Sequence, residues 1–145
     1  MTDLTNFSLV DLVKGIKNKD FSSEEITKSF IKNAESSDKL NTYITKCFDE
    51  ALLSAKNFDK KNKPSGLLPG IPIAVKDMFC TKNVKTTAGS KILNNFLPTY
   101  ESTVTNKLWL EGAFLLGKLN CDEFAMGSSN ETSFFGNVTN PFGDK

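Results

Sequence analysis

An apolar run from Ile71 to Val75 ends directly in Lys76 and Asp77. The run is rich in β-branched residues and is apolar at both odd and even positions, which is typical of a strand covered on both faces. Such strands occur in sheets with helices packed on them, so the run predicts an α/β fold. A lysine at the end of a buried strand loses hydration of its ammonium form, and this favours a neutral amine that can act as a base.

The composition narrows the possible chemistry. The chain contains no histidine, so acid–base or hydrolytic chemistry must use lysine or carboxylate groups. Its net charge of +1 argues against strong electrostatic binding to nucleic acid or to an anionic membrane. No apolar stretch approaches the roughly 20 residues of a membrane span, and the N-terminus lacks the pattern of a signal peptide. We therefore expect a cytoplasmic protein without membrane attachment.

The cysteines indicate neither a disulfide framework nor a metal site. Cys47, Cys80 and Cys121 form no C-x-x-C pair, and no histidine is present to complete a zinc site. We predict reduced thiols and no bound metal. Cys80 lies four residues after Lys76 and is either a small buried filler or a thiolate nucleophile.

The first sixty residues carry three helical patterns with apolar stripes at helical spacing. Ser8 caps the first helix, and Ser22 with Glu25 forms a capping box at the start of the second. The third helix is predicted over about residues 49–58, after a short extended link at 43–45. The side chains that we expect to be buried are Leu9, Leu12, Val13 and Ile16, then Ile26, Phe30, Ile31 and Ala34, and finally Ala51, Leu52, Ala55 and Phe58. These stripes are packing surfaces and carry no chemistry.

The pattern changes after a polar connector at residues 59–66. The strand at 71–75 is followed by a helix that Ser102 caps and Gly112 ends, and then by a second apolar strand at 114–118. Two parallel strands need a crossover of this kind, so the order predicts a parallel βαβ unit. On the crossover helix we expect Val104, Leu108 and Trp109 to face inward.

We expect one domain over residues 1–145, with a helical lead-in at 1–60 and a sheet-forming part at 67–145. A segment dense in hydroxyl and amide groups, residues 120–133, follows the second strand as Lys76 follows the first. Because sites in open α/β sheets lie at the carboxyl ends of the strands, we predict that Lys76 and this segment lie at the same edge.

Several strings in the chain resemble the amidase signature family, and in particular its branch of tRNA-dependent amidotransferase A subunits. They are Gly70–Asp77, Thr86–Ser90, Pro98–Val104, Gly117–Asn120, Asp122–Ser133 and Asn140–Phe142. The first string alone suggests the broad family. The run Asp122–Ser133 with the Asn140–Phe142 ending points to the tRNA-amidating branch.

The resemblance implies the start of the amidase-signature fold, incomplete here, in which N-terminal helices precede a mixed central sheet covered by helices. It also implies a Ser–cis-Ser–Lys triad in which Lys76 is the catalytic lysine. A neutral Lys76 would draw a proton, through a bridging serine, from a nucleophilic serine. The nucleophile would attack the side-chain amide of glutamine and release ammonia, which a partner subunit would use to convert Glu-tRNA(Gln) to Gln-tRNA(Gln).

Other residues of the matching strings have two interpretations each. Met126, Gly127 and Ser128 either line an amide-binding pocket or form a plain tight loop. Asp77 either steadies Lys76 and its loop or caps the next turn. Asp122 either belongs to a carboxylate pair with Glu123 or caps a helix, and capping is favoured because no third metal ligand is apparent.

The family places its bridging and nucleophilic serines after the Asn140–Phe142 region. Neither can be assigned to a residue of this chain, and Ser128 and Ser129 precede them in the family pattern. We therefore expect the 145-residue chain alone to be inactive and poorly stable, with Trp109, Phe114, Leu115 and Leu116 losing cover. The parent protein would be the enzyme.

The resemblance also implies the partners. These would be the B and C subunits of an amidotransferase heterotrimer, glutamine as substrate, and misacylated Glu-tRNA(Gln) bound through the complex. ATP and Mg²⁺ would be used by the partner subunit, and this chain would bind no cofactor. Three alternatives stay open: a general amidase acting on small or fatty amides, a split enzyme completed by a second chain, and a non-catalytic binding module.

Overall fold

The computed structural model describes residues 3–61 and 63–143. The fold is α/β, as predicted, with four helices and three strands in the described residues. In chain order the elements are α1 (Leu9–Asn18), α2 (Ser23–Ser36), β1 (Tyr43–Lys46), α3 (Phe48–Lys61), β2 (Pro72–Lys76), α4 (Thr103–Leu110) and β3 (Phe114–Leu119). Short 3-10 turns occur at Leu4–Asn6, Asp38–Leu40 and Glu123–Ala125.

The three strands form one mixed sheet in the order β1-β3-β2. The peptide N–H of Phe114 donates to the carbonyl of Ile71, and that of Asp77 donates to the carbonyl of Leu119. Residue numbers rise together along this pair, so β2 and β3 are parallel and α4 is their crossover, as the βαβ pattern predicted. β1 pairs antiparallel with β3, with Lys46 opposite Gly117. The predicted extended link at 43–45 is therefore a strand of the sheet.

The chain divides into two compact units. The first comprises the described residues up to Ser36 together with Cys47–Ile73 and Lys107–Leu116. Its apolar core contains Leu12, Ile16, Ile26 and Ile71, with a second cluster at Ile31, Ala51 and Leu116. The stripes predicted on α2 and α3 form part of this core, and α2 packs against α3.

The second unit comprises Ser37–Lys46, Ala74–Asn106 and the described residues from Gly117 onward. Its buried residues are largely polar, unlike those of the first unit. They include Asp77, Thr81, Thr86, Thr87, Ser90, Thr105, Lys118 and Asp122. Buried polar groups need partners, so this unit depends on hydrogen bonds and charge pairing more than on apolar packing.

Helix capping follows the sequence closely. The Ser8 hydroxyl accepts a hydrogen bond from the Asp11 N–H, and the Ser102 hydroxyl accepts one from the Thr105 N–H. The carboxylate of Glu25 accepts from the Ser22 N–H at 2.8 Å, which closes the predicted capping box. These predictions are confirmed.

Three expectations are wrong. Helix α3 continues to Lys61, into the predicted connector, whose residue Asn62 lies outside the described residues. Val104 is exposed, and Thr105 is the buried residue of α4 because its hydroxyl bonds to Ser102 and Glu101. Leu9 on α1 is likewise exposed, since the buried face of that helix is centred on Leu12 and Ile16.

Four side chains were expected to lose cover. Leu116 is buried, whereas Trp109, Phe114 and Leu115 are half-buried and keep some exposed surface.

No helix within the described part of the chain combines the length and the apolar character needed to cross a membrane.

Candidate functional site

The carboxyl ends of β2 and β3 border one open cavity in the second unit. Its volume is about 450 Å³. The lining includes Lys76 from the end of β2, Asn120 and Asp122 from the segment after β3, and Gly127 and Ser128 from the loop that follows. Lys76 and the 120–133 segment thus meet at the same edge of the sheet, which is the arrangement that the order of the strands predicted.

Lys76 lies on the cavity side of β2. Successive side chains of a strand point to opposite faces, and the burial here alternates: Val75 and Asp77 are buried whereas Lys76 is exposed. We expected a lysine largely removed from water, and in this the structure differs from the prediction. The strand is covered at Val75, but its last residue extends past the sheet into the cavity.

One carboxylate organises the loop on the opposite wall of the cavity. Asp122 accepts hydrogen bonds from the N–H groups of Asn130, at 2.9 Å, and Thr132, at 3.1 Å, and also from the Thr132 hydroxyl. The peptide N–H groups of Thr132 and Asn130 lower the pKa of the Asp122 carboxyl below its ordinary value. Asp122 does not cap the 3-10 turn that follows it, so the predicted capping role is wrong.

Gly127 lies directly against that carboxylate. A Cβ placed at Gly127 would come within 2.4 Å of the Asp122 side-chain atoms Cγ and Oδ2. Only a residue without a side chain fits this close approach. The contact places the Gly127–Ser128 backbone along the cavity wall.

The three predicted substrate-binding residues are not placed alike. Gly127 and Ser128 line the cavity together with Lys76. Met126 does not belong to the lining, and the residue is 74% exposed. Met126 therefore lies outside this cavity, whereas Gly127 and Ser128 share it with Lys76.

A second lysine, which the sequence analysis did not single out, is buried behind this edge. Lys118 on β3 has no exposed surface, and its ammonium donates to the carbonyl of Phe79 at 2.8 Å and to the hydroxyl of Thr86 at 2.7 Å. It lies 3.4 Å from Oδ1 of Asp77, which is also fully buried. The other Asp77 oxygen accepts from the N–H and the hydroxyl of Thr87. A lysine inside an apolar strand pattern, which implies a buried partner, was the available signal.

The three thiols have different surroundings. Cys47, Cys80 and Cys121 all lie in the described residues, and none of them forms a disulfide. Cys121 lines the cavity, but burial raises the pKa of its thiol and so disfavours the reactive thiolate. Cys80 is half-buried, with its sulfur 3.4 Å from the hydroxyl oxygen of Tyr100.

Among residues 3–61 and 63–143, no group of three or more Cys, Asp and Glu side chains could hold a metal ion.

The order of the strands therefore brings the lysine at the end of β2 and the glycine–serine loop to one cavity. A family model described as Amidase matches residues 25–145. The chain belongs to this family.

Relatives and solved structures refine this assignment. The chain is 69% identical over 141 residues to the A subunit of a glutamyl-tRNA(Gln) amidotransferase from Pelagibacter ubique, an alignment covering 97% of this chain and 29% of the relative. A solved bacterial aryl acylamidase of the amidase signature family superposes with a TM-score of 0.86 at 29% identity, covering 94% of this chain and 30% of that one. The solved glutamyl-tRNA(Gln) amidotransferase A subunit from Thermotoga maritima superposes with a TM-score of 0.73 at 27% identity. That alignment covers 97% of this chain and 29% of the Thermotoga chain. The chain thus spans about 29% of the length of the curated relative.

Proposed function

We propose that this chain is the N-terminal part of a glutamyl-tRNA(Gln) amidotransferase A subunit, which hydrolyses the side-chain amide of glutamine. The observation that carries the proposal is the 69% identity to such a subunit across 97% of the chain. The position of Lys76 at a cavity lined by Gly127 and Ser128 supports it, because a base and an amide-binding surface must face the same space.

In this proposal Lys76 supplies the base of the reaction. Its amine accepts a proton relayed from two serines that the family resemblance places after residue 142, and one of these attacks the glutamine amide carbon. The products are a glutamyl-enzyme and ammonia. The proton held at Lys76 passes to the departing amide nitrogen, which leaves as ammonia. Water then attacks the glutamyl-enzyme, Lys76 takes a proton from that water, and this proton returns to the serine as glutamate leaves.

The partners follow from the same proposal. The B and C subunits would complete a cytoplasmic heterotrimer, which binds misacylated Glu-tRNA(Gln) and uses ATP and Mg²⁺ in the partner subunit. With its net charge of +1, this chain would leave most tRNA contacts to the rest of the complex.

A second candidate is a general amidase. It is favoured by one observation: the aryl acylamidase superposes better, with a TM-score of 0.86 against 0.73. Their sequence identities to this chain, 29% and 27%, are nearly equal, so the case for a general amidase rests on the superposition alone.

The experiment that separates the two candidates measures ammonia release by the full-length protein assembled with its B and C subunits. Glutamine is compared with an anilide and with a simple aliphatic amide, each in the presence and absence of Glu-tRNA(Gln). We expect glutamine to be preferred and its hydrolysis to increase with Glu-tRNA(Gln). Preference for the anilide, without any response to the tRNA, would replace the amidotransferase by a general amidase.

A further inference from the structure

The buried pair Asp77–Lys118 lies on the opposite face of β2 from the cavity. Both side chains are fully buried, and each has hydrogen-bond partners in addition to its partner in the pair. Lys118 donates to Phe79 and Thr86, whereas Asp77 accepts from Thr87. A buried ion pair gives little net stability, because desolvation of the two charges offsets their attraction. The presence of this ion pair in the buried part of the sheet therefore needs an explanation other than stability.

Asp77 fixes the backbone immediately after Lys76. The N–H of Asp77 donates to the carbonyl of Leu119 at 2.9 Å, and its carbonyl accepts from the N–H of Ala88 at 3.0 Å. The Asp77 carboxylate is held by Thr87 from the same segment. With backbone and side chain both tied, Asp77 leaves Lys76 little freedom to shift along or rotate about the strand.

The segment that holds Asp77 also holds the loop across the cavity. The carbonyl of Ala88 accepts from the Phe124 N–H, and that of Gly89 accepts from the Phe134 N–H, both at 2.8 Å. The Ser90 hydroxyl donates to the Glu123 carboxylate at 2.6 Å. Residues 87–90 therefore connect the Lys76 side of the cavity to both ends of the loop that carries Gly127 and Ser128.

We propose that Asp77 and Lys118 are positioning residues, which hold Lys76 and the Gly127–Ser128 loop in register from the buried side of the sheet. This rests on the function proposed above. Neither residue touches substrate; each acts through the segment at 86–90. A displacement of about 1 Å between a base and a bound substrate lowers a rate by as much as about 10²-fold, so the pair matters for turnover even where it adds little stability.

The test uses the full-length protein in its complex, with glutamine as substrate, and begins with Thr87→Val. This change removes the hydroxyl that donates to Asp77 and keeps the volume of the side chain. We expect kcat to fall about 10- to 100-fold with a much smaller change in KM, and Thr87→Ser to recover most of the loss. Thr27→Val is the matched control: its hydroxyl is equally buried but bonds to the Ser23 carbonyl within α2. It should lower the thermal midpoint without lowering kcat.

A second variant separates position from stability. Single changes at Asp77 or Lys118 leave an uncompensated buried charge and are expected to destabilise the protein strongly. The double variant Asp77→Asn/Lys118→Met removes both charges, so its thermal midpoint should lie above that of either single variant while its kcat stays at least about tenfold below wild type. Wild-type kcat in a folded Thr87→Val or double variant would overturn the positioning role.

The two proposals fail in different ways. If Lys76→Ala abolishes glutamine hydrolysis but Thr87→Val does not lower kcat, only the positioning role is wrong. If Lys76→Ala retains wild-type hydrolysis, the proposed function of the site is wrong.

Discussion

Two lysines on neighbouring strands have opposite environments. Lys76 ends β2 at the open cavity and is exposed, whereas Lys118 lies inside β3 with its ammonium buried among Phe79, Thr86 and Asp77. The difference follows from the pleat of the sheet and from where each strand ends. Of these two lysines only Lys76 lines the cavity, and the proposed function therefore assigns it the base.

The lowered pKa of Asp122 predicts how the loop at the cavity responds to pH. A carboxyl group whose pKa is lower in the folded state stabilises that state above its ordinary value of 3.8, and this stabilisation is lost as the pH falls through the lowered value. The urea midpoint of wild type should therefore exceed that of Asp122→Asn by its largest amount at neutral pH. This difference should shrink as the pH falls below about 3.8. A difference that does not change with pH would contradict the role of this carboxylate.

Gly89 should be the least replaceable residue of the segment that connects the two sides of the cavity. Its φ is +68°, and a Cβ would lie 2.4 Å from the Cys121 carbonyl oxygen. We expect Gly89→Ala to cost about 1–2 kcal/mol for the left-handed backbone, and about 1–3 kcal/mol more for the contact.

The control for this prediction is Gly143→Ala, where the nearest heavy atom to an added Cβ is 3.5 Å away. That change should alter the free energy of unfolding by less than about 0.5 kcal/mol. Equal unfolding free energies for the two variants, measured by urea denaturation, would show that the 86–90 segment is not held as described.

At the scale of elements, helix α2 is capped from another helix. The Asp59 carboxylate on α3 accepts hydrogen bonds from the N–H groups of Ser23 and Glu24, each at 2.9 Å. Since these are charge-assisted bonds at a helix N-terminus, we expect Asp59→Ala to destabilise the protein by about 1.5–3 kcal/mol. Asp38→Ala is the control, because it removes only an exposed ion pair with Lys46, worth about 0–1 kcal/mol. Similar urea midpoints for the two variants would contradict the capping role.

The helices and strands were predictable because their signals are local. Caps at Ser8, Ser22 and Ser102 and the periodic stripes of α2 and α3 depend on residues within a few positions of each other. The cap from Asp59 joins residues 36 apart in sequence, so no local pattern contains it. The exposure of Val104 was missed because the apolar stripe predicted for α4 left out Thr105, the buried residue of the helix, whose hydroxyl bonds to Ser102 and Glu101.

At the scale of the whole molecule, the sheet edge that carries the candidate site could be predicted from the sequence. The buried polar contacts that hold this edge in place could not. The order of strand, helix and strand places Lys76 beside residues 120–133 through topology alone. The pairing of Lys118 with Asp77, and the use of Asp122 to fold its own loop, depend on tertiary contacts between polar residues. Such contacts leave no periodicity in the sequence, and the polar core of the second unit consists of them.

The similarity to amidase structures extends over nearly the whole of this chain. The chain superposes on amidase structures over 94–97% of its own length while covering about 30% of theirs. Within the second unit, buried pairs and loop carboxylates fix the backbone on both sides of the cavity, where apolar packing alone would leave register less defined.

The most direct test of the account is the dependence of glutamine hydrolysis on Lys76. In the full-length protein with its B and C subunits, Lys76→Ala should lower ammonia release from glutamine by at least about 10²-fold, the usual contribution of a positioned general base. Lys82→Ala, which removes an exposed lysine of the same unit, should retain the wild-type rate. Ammonia release by Lys76→Ala at the rate of Lys82→Ala would contradict the central claim that Lys76 is the base of this site.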